Sequence, residues 1–243
     1  MGESGGSNRR EFLRRGAAAA GVMFLAGCTG TERRGERFEL TQEASGKPEE
    51  GVSPAEDLMR EHGVLRRILL VYGEVIRRLD AGEAFRPQAL NDAAGIVRSF
   101  VEDYHEKLEE DFLFPRFDRA RKLQDLVKVL LEQHQAGRRL TDTTLRVATA
   151  AGLKSADDRR TLTQSLHQFI RMYNPHAARE DTILFPAFKE IVTADEYDAL
   201  GDEFEKKENE LFGDKGFEKV VERVATIEKG LGIYDLKQFT PLA

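Results

Sequence analysis

The chain has 243 residues, 40% of them apolar and 33% charged, with no Trp and 7 Pro. That length allows one domain with a real core and some chain to spare, and the balance is soluble and helix-leaning. The formal charge of -6 argues against a nucleic-acid footprint, and the single Cys28 excludes disulfides within the chain and zinc sites of the multi-Cys kind, so a bound metal would need nitrogen and oxygen ligands.

Residues 8–13 read NRREFL and lead into RRGAAAAGVMFLAGC. Paired Arg9 and Arg10, then Phe12-Leu13, then a short apolar run, look like a bacterial twin-arginine export signal, with Asn8 where Ser or Thr is commoner. The apolar run from Gly16 to Gly27 is too short to span a bilayer and suits a signal core. It ends in Leu25-Ala26-Gly27-Cys28, which resembles a lipobox. Residues 1–27 are therefore expected to be an export signal peptide. A lipid on Cys28 would be the sole membrane contact and would anchor the protein, once exported across the bacterial inner membrane, on the periplasmic or cell-surface side. The alternative is an unprocessed basic tail with a chance Cys. Residues 28–52 are Gly-, Glu-, Thr- and Ser-rich and read as a flexible linker.

Ser53-Pro54-Ala55-Glu56 has the form of a capping box with Pro at the first helical position. Leu58, His62, Leu65, Leu69, Tyr72 and Ile76 then recur at three- and four-residue steps, an amphipathic stripe that Ala81-Gly82 stops. A second helix is expected from Pro87 to a stop near Pro115, carrying Ile96, Phe100, Tyr104, His105, Leu108, Glu109 and Phe112. A third covers about 119–150, with Leu123, Leu126, Val127, Leu130 and His134 on one face. Ser155 with Asp158 caps a fourth, bearing Leu162, Leu166, Phe169, Tyr173, His176, Glu180 and Ile183. Pro175, directly before His176, should kink it, which either aims the His or is merely tolerated. Thr193 and Glu196 form another capping box, and two charged helices without His follow. Four long helices with short connections predict an all-α, up-down-up-down four-helix bundle over 53–190, with two additional helices in a C-terminal extension over 191–243.

Two stretches repeat, 71 residues apart: HEKLEEDFLFPRF from His105 and HAAREDTILFPAF from His176. His105 aligns with His176, Glu109 with Glu180, Glu110 with Asp181, and each copy ends in Leu-Phe-Pro. A His and a Glu four residues apart share one helical face. His62 and His134 continue the apolar stripes of the first and third helices. One His on an apolar face is more often a satisfied core residue, but here the pattern occurs on four helices and brings two carboxylates with it. Buried carboxylates are usually paired or bound to metal. Two divalent ions, each held by two His and sharing both Glu as bridges, would satisfy the set.

The pattern resembles the hemerythrin-like, or HHE cation-binding, family of non-haem di-iron proteins, over roughly residues 55–190. The resemblance rests on Glu61-His62, His105-x-x-x-Glu109 with Leu-Phe-Pro, Glu132-x-His134, and His176-x-x-x-Glu180 with Leu-Phe-Pro. It implies two iron ions, oxo- or hydroxo-bridged, with Glu109 and Glu180 as bridges. By analogy His62 and His105 would hold one iron, and His134 and His176 the other. Oxygen-carrying members have a second His four residues after the one on the third helix, where this chain has Arg138. Glu106, next to His105, is a candidate for that vacant position, the alternative being a solvated surface Glu. His167 lies off the main stripe, and Tyr104 and Tyr173 read as core residues with hydrogen-bonded hydroxyls.

The resemblance also implies a partner: O2 or another small ligand such as peroxide or nitric oxide. Three functions diverge from it. The first is reversible ligand binding. The second is an oxidoreductase that reduces peroxide, O2 or nitric oxide with an external electron donor. The third is iron handling, or a structural bundle, without gas chemistry. The chain adds no recognisable electron-transfer, signalling or nucleic-acid module.

Overall fold

The computed structural model describes residues 52–241. The expected signal peptide, Cys28 and all of the linker before Val52 lie outside the described residues. Within them the chain is helical, with no strand.

Helix α1 (Pro54–Ala81) starts as the capping box requires. The Ser53 hydroxyl accepts the Glu56 backbone N–H, and Pro54 fills the first turn, where a missing N–H is harmless. Gly82, at φ 67, ends it in the left-handed conformation that favours glycine. Helix α2 spans 87–120, α3 is Gln124–Val147, α4 spans 156–188, α5 is Ala194–Phe212 and α6 is Gly216–Leu231. Ser155 and Thr193 cap α4 and α5 through the N–H groups of Asp158 and Glu196. Leu123 lies just ahead of α3, in a left-handed conformation at φ 54.

The Leu-Phe-Pro motifs do not stop their helices. Chain α2 continues past Pro115 to Ala120, and α4 past Pro186 to Phe188. The reason is a π-helical turn just before each proline, Glu109–Leu113 and Glu180–Leu184. There the Phe114 N–H reaches back five residues to the Glu109 carbonyl, and the Phe185 N–H to that of Glu180. The wider turn shifts the hydrogen-bond register just where proline has no N–H to give, so the chain stays helical. A longer π-helical stretch, Val97–His105, precedes the first copy. Pro175 sits inside Ala156–Arg179 without ending it.

Helix α1 packs against α2 and α4, and α3 packs against the same two. The shared interior holds Leu65, Ile68 and Tyr72 of α1, Phe100 and Tyr104 of α2, Leu130 of α3, and Leu166, Phe169 and Tyr173 of α4. Each large apolar side chain buried in this way contributes about 1.5–3 kcal/mol. Helix α6 lies on α1 and α2, and α5 on α1 and the π-helical part of α2. A bidentate ion pair from Arg67 to Glu228, at 2.9 and 2.5 Å, fastens α6 to α1.

Candidate metal centre

Into this apolar interior the four helices bring a polar knot. His62, His105, Glu109, His134, His176 and Glu180 are each no more than 3% exposed. One donor atom from each of Glu109, His134, His176 and Glu180 lies within 4.8 Å of the others, and the same holds for His62, His105 and Glu109.

The two carboxylates are shared between the His pairs. Glu109 sets Oε1 3.8 Å from His105 Nε2 and Oε2 3.4 Å from His134 Nε2. Glu180 sets Oε1 3.1 Å from His176 Nε2 and Oε2 3.3 Å from His62 Nε2. Each carboxylate thus turns one oxygen to each pair. None of these four oxygens makes a hydrogen bond, nor does His134 Nε2, although all are buried. Orphaned acceptors in an apolar interior are costly unless a cation satisfies them. This nitrogen and oxygen donor set fits divalent cations.

The imidazoles are oriented from outside. Each turns Nε2 inward and presents Nδ1 to a partner: His62 to Asp181 at 2.7 Å, His105 to Glu61 at 2.8 Å, His134 to Glu110 at 3.1 Å and His176 to Gln133 at 2.8 Å. An Nδ1–H donated to a carboxylate leaves a bare lone pair on Nε2, the form in which imidazole binds metal. His62 and His105 then face each other Nε2 to Nε2 at 3.1 Å, a contact that needs a proton or a cation between the two nitrogens.

This arrangement repeats with pseudo-twofold logic. Glu61 and His62 correspond to Gln133 and His134, 72 residues on, and in each case the earlier residue holds the His of the next helix. Arg66 corresponds to Arg138, again 72 residues on; Arg66 pairs with Asp181, and Arg138 with Glu110 at 2.8 Å. Phe114 stacks on His134 at 5.5 Å and Phe185 on His62 at 5.5 Å. The Leu-Phe-Pro motif therefore supplies the floor beneath the lone His of the opposite helix pair.

Electrostatics follow the geometry. Burial acts to lower the His62 pKa, but Asp181 and Glu180 outweigh it and raise it to about 9. Burial pushes His134 down to about 4. Burial and the facing Glu180 push Glu109 well up. Burial acts on Glu180 in the same sense, but His176 and His62 hold it below the usual carboxylate range. Without metal, a proton or two must stand in for the missing positive charge.

The structure gathers six of the seven candidate residues about the shared carboxylates. Glu106 is placed otherwise. It is buried, not solvated, but lies on the outer side of His134, with Oε2 4.0 Å from Nδ1. It accepts from the Tyr173 hydroxyl at 2.6 Å and pairs with Arg138 at 2.8 Å. Burial raises its pKa to about 8. Of the other residues singled out, Glu132 and His167 are exposed, whereas Gln133 touches the site. Sequence reasoning gave no role to the outer partners Glu61, Gln133, Glu110, Asp181 and Arg66. Their visible signals were the Glu61-His62 motif and the aligned Glu110 and Asp181.

Residues 53–188 match the family model described as the hemerythrin HHE cation binding domain. An uncharacterized protein of Mycobacterium bovis is 48% identical over 233 residues, which is 96% of this chain and 91% of its own. An uncharacterized protein of Mycobacterium tuberculosis is similar to the same extent, 48% over 233 residues with the same coverage. No solved structure matches the chain.

Proposed function

Because the chain belongs to the hemerythrin HHE cation-binding family, we propose that it is an exported non-haem di-iron protein that binds O2, or a related ligand such as peroxide or nitric oxide. In this reading α1 to α4 run up-down-up-down. His62 and His105 hold one iron, His134 and His176 the other, and Glu109 and Glu180 bridge them. The observation that carries it is the sharing of each Glu between the two His pairs, one oxygen apiece. A lone structural ion would not need two such carboxylates. When bound, an iron pair supplies two-electron redox chemistry. The chain's part is to hold the imidazoles with Nε2 inward, to fix them through their Nδ1 partners, and to keep water out with Phe114, Phe185 and Tyr173. The signal-like N-terminus supports export, with a lipid on Cys28 as anchor.

A second reading, an oxidoreductase acting on peroxide, O2 or nitric oxide with an external electron donor, is favoured by position 138. Arg138 replaces a ligand of the oxygen-carrying members and instead ties down Glu106 and Glu110. That ligand change weakens the case for stable carriage.

The test is the metal content and optical spectrum of the purified chain. Two irons per chain, lost in Glu109→Ala plus Glu180→Ala, are expected. Less than one iron per chain, unaffected by that double substitution, would sink the di-iron reading. Exposing the reduced protein to air then separates the functions. A stable spectrum reversed under vacuum supports binding, whereas turnover of added peroxide or nitric oxide with reductant supports the enzyme.

A further inference from the structure

The pseudo-twofold pattern breaks around Tyr173. A Cβ at Gly137 would stand 2.0 Å from the Tyr173 hydroxyl oxygen and 2.8 Å from Cζ, closer than packed atoms approach. Only a residue without a side chain lets that ring reach across α3. Once there, the hydroxyl donates to Glu106 Oε1 at 2.6 Å, while Arg138, the residue after Gly137, holds Oε2 at 2.8 Å. Tyr173 and Glu106 are each 1% exposed. In the other half all three partners differ: Leu65 stands for Gly137, Ala177 for Glu106 and Glu102 for Tyr173. His134 therefore has two carboxylates near its outer nitrogen, Glu110 at 3.1 Å and Glu106 at 4.0 Å. The corresponding His62 contact is to Asp181.

We propose that Tyr173 is a positioning residue that, seated by Gly137, fixes Glu106 beside His134 and so makes the His134/His176 half of the centre bind its metal differently from the His62/His105 half. This rests on the metal-centre reading above. Glu110 makes the hydrogen bond to His134 Nδ1, and Glu106 acts on it through Arg138, which pairs with both acids at 2.8 Å; loss of a group that supports a ligating imidazole typically weakens metal binding about 10–100-fold. Tyr173→Phe keeps the ring and the packing, removing only the hydroxyl that restrains Glu106.

The test is a stepwise titration of the metal-free chain with ferrous iron against a competing chelator, on wild type, Tyr173→Phe, Glu106→Ala and the double variant. Wild type should show two resolved steps. Tyr173→Phe and Glu106→Ala should each weaken the same single step about tenfold or more, and the double variant should be no weaker than Glu106→Ala alone. That non-additivity is what a merely structural hydroxyl would not produce. Gly137→Ala, which displaces the ring while leaving Tyr173 and Glu106 unsubstituted, should weaken that step as well. Tyr173→Phe leaving both steps unmoved, weakening both equally, or adding fully to Glu106→Ala would overturn the proposal. Wild type that takes up less than one iron would instead overturn the metal-centre reading on which it rests.

Discussion

At the residue scale, the knot of titrating groups makes metal and pH interchangeable. In the metal-free chain His62 sits at about 9 against an ordinary 6.5. Its contribution to stability is full below 6.5 and is lost as pH rises through 9. Glu106 sits at about 8 against an ordinary 4.5, so it stays protonated in the fold while the unfolded chain ionises, and stability falls as pH rises from 4.5 through 8. His134, pushed down to about 4, opposes Glu106 only below 6.5 and has no effect above it. Between pH 6.5 and 9 the metal-free protein should therefore lose stability. Bound cations hold His62 deprotonated, so the loaded protein should lose less and keep only the Glu106 part of the loss. Thermal unfolding of both forms at the two pH values checks this; equal slopes would count against the site. Residue identity told the histidines and the i+4 glutamates apart from surface charge. It did not tell Glu61, Gln133 and Asp181 apart, because each is a polar residue adjoining a ligand in sequence, and its partner lies on another helix.

At the element scale, helix starts were legible because a cap is a local event. Ser53, Ser155 and Thr193 each bond a backbone N–H three residues on, and sequence neighbours suffice to place them. Helix ends at Leu-Phe-Pro were misread. Proline predicts a break when the register before it is α-helical, and the π turn after each ligand Glu removes that premise. Directly after the π turns, Phe114 and Phe185 lie over His134 and His62. Phe185→Ala should therefore do two things. It should destabilise the metal-free fold by about 3–5 kcal/mol, the usual range for a fully buried Phe, read from urea unfolding. It should also loosen His62, seen as weaker metal uptake at the His62/His105 half. Full stability with normal uptake would remove Phe185 from that role.

At the scale of the whole molecule, the described part and the N-terminal stretch call for separate tests. Arg9→Lys with Arg10→Lys should leave the chain inside the cell with its lipobox uncleaved, detected by fractionation and mass, while iron content per purified chain stays at the wild-type level. Continued export would discard the twin-arginine reading. Among the described residues no helix is long and apolar enough to cross a membrane. The amino-acid sequence by itself determined the helical class, the caps, and the repeated His-x-x-x-Glu with its two lone histidines, because period and capping act over one or two turns. The tertiary structure alone decided how those pieces are shared. Which Glu oxygen reaches the His of another helix, which group holds which Nδ1, and the seating of Tyr173 over Gly137 all join residues tens of positions apart. Their pairing is set by how α1 to α4 pack and by the π turns that rotate the chain between ligand and proline, and neither leaves a periodic trace in the sequence.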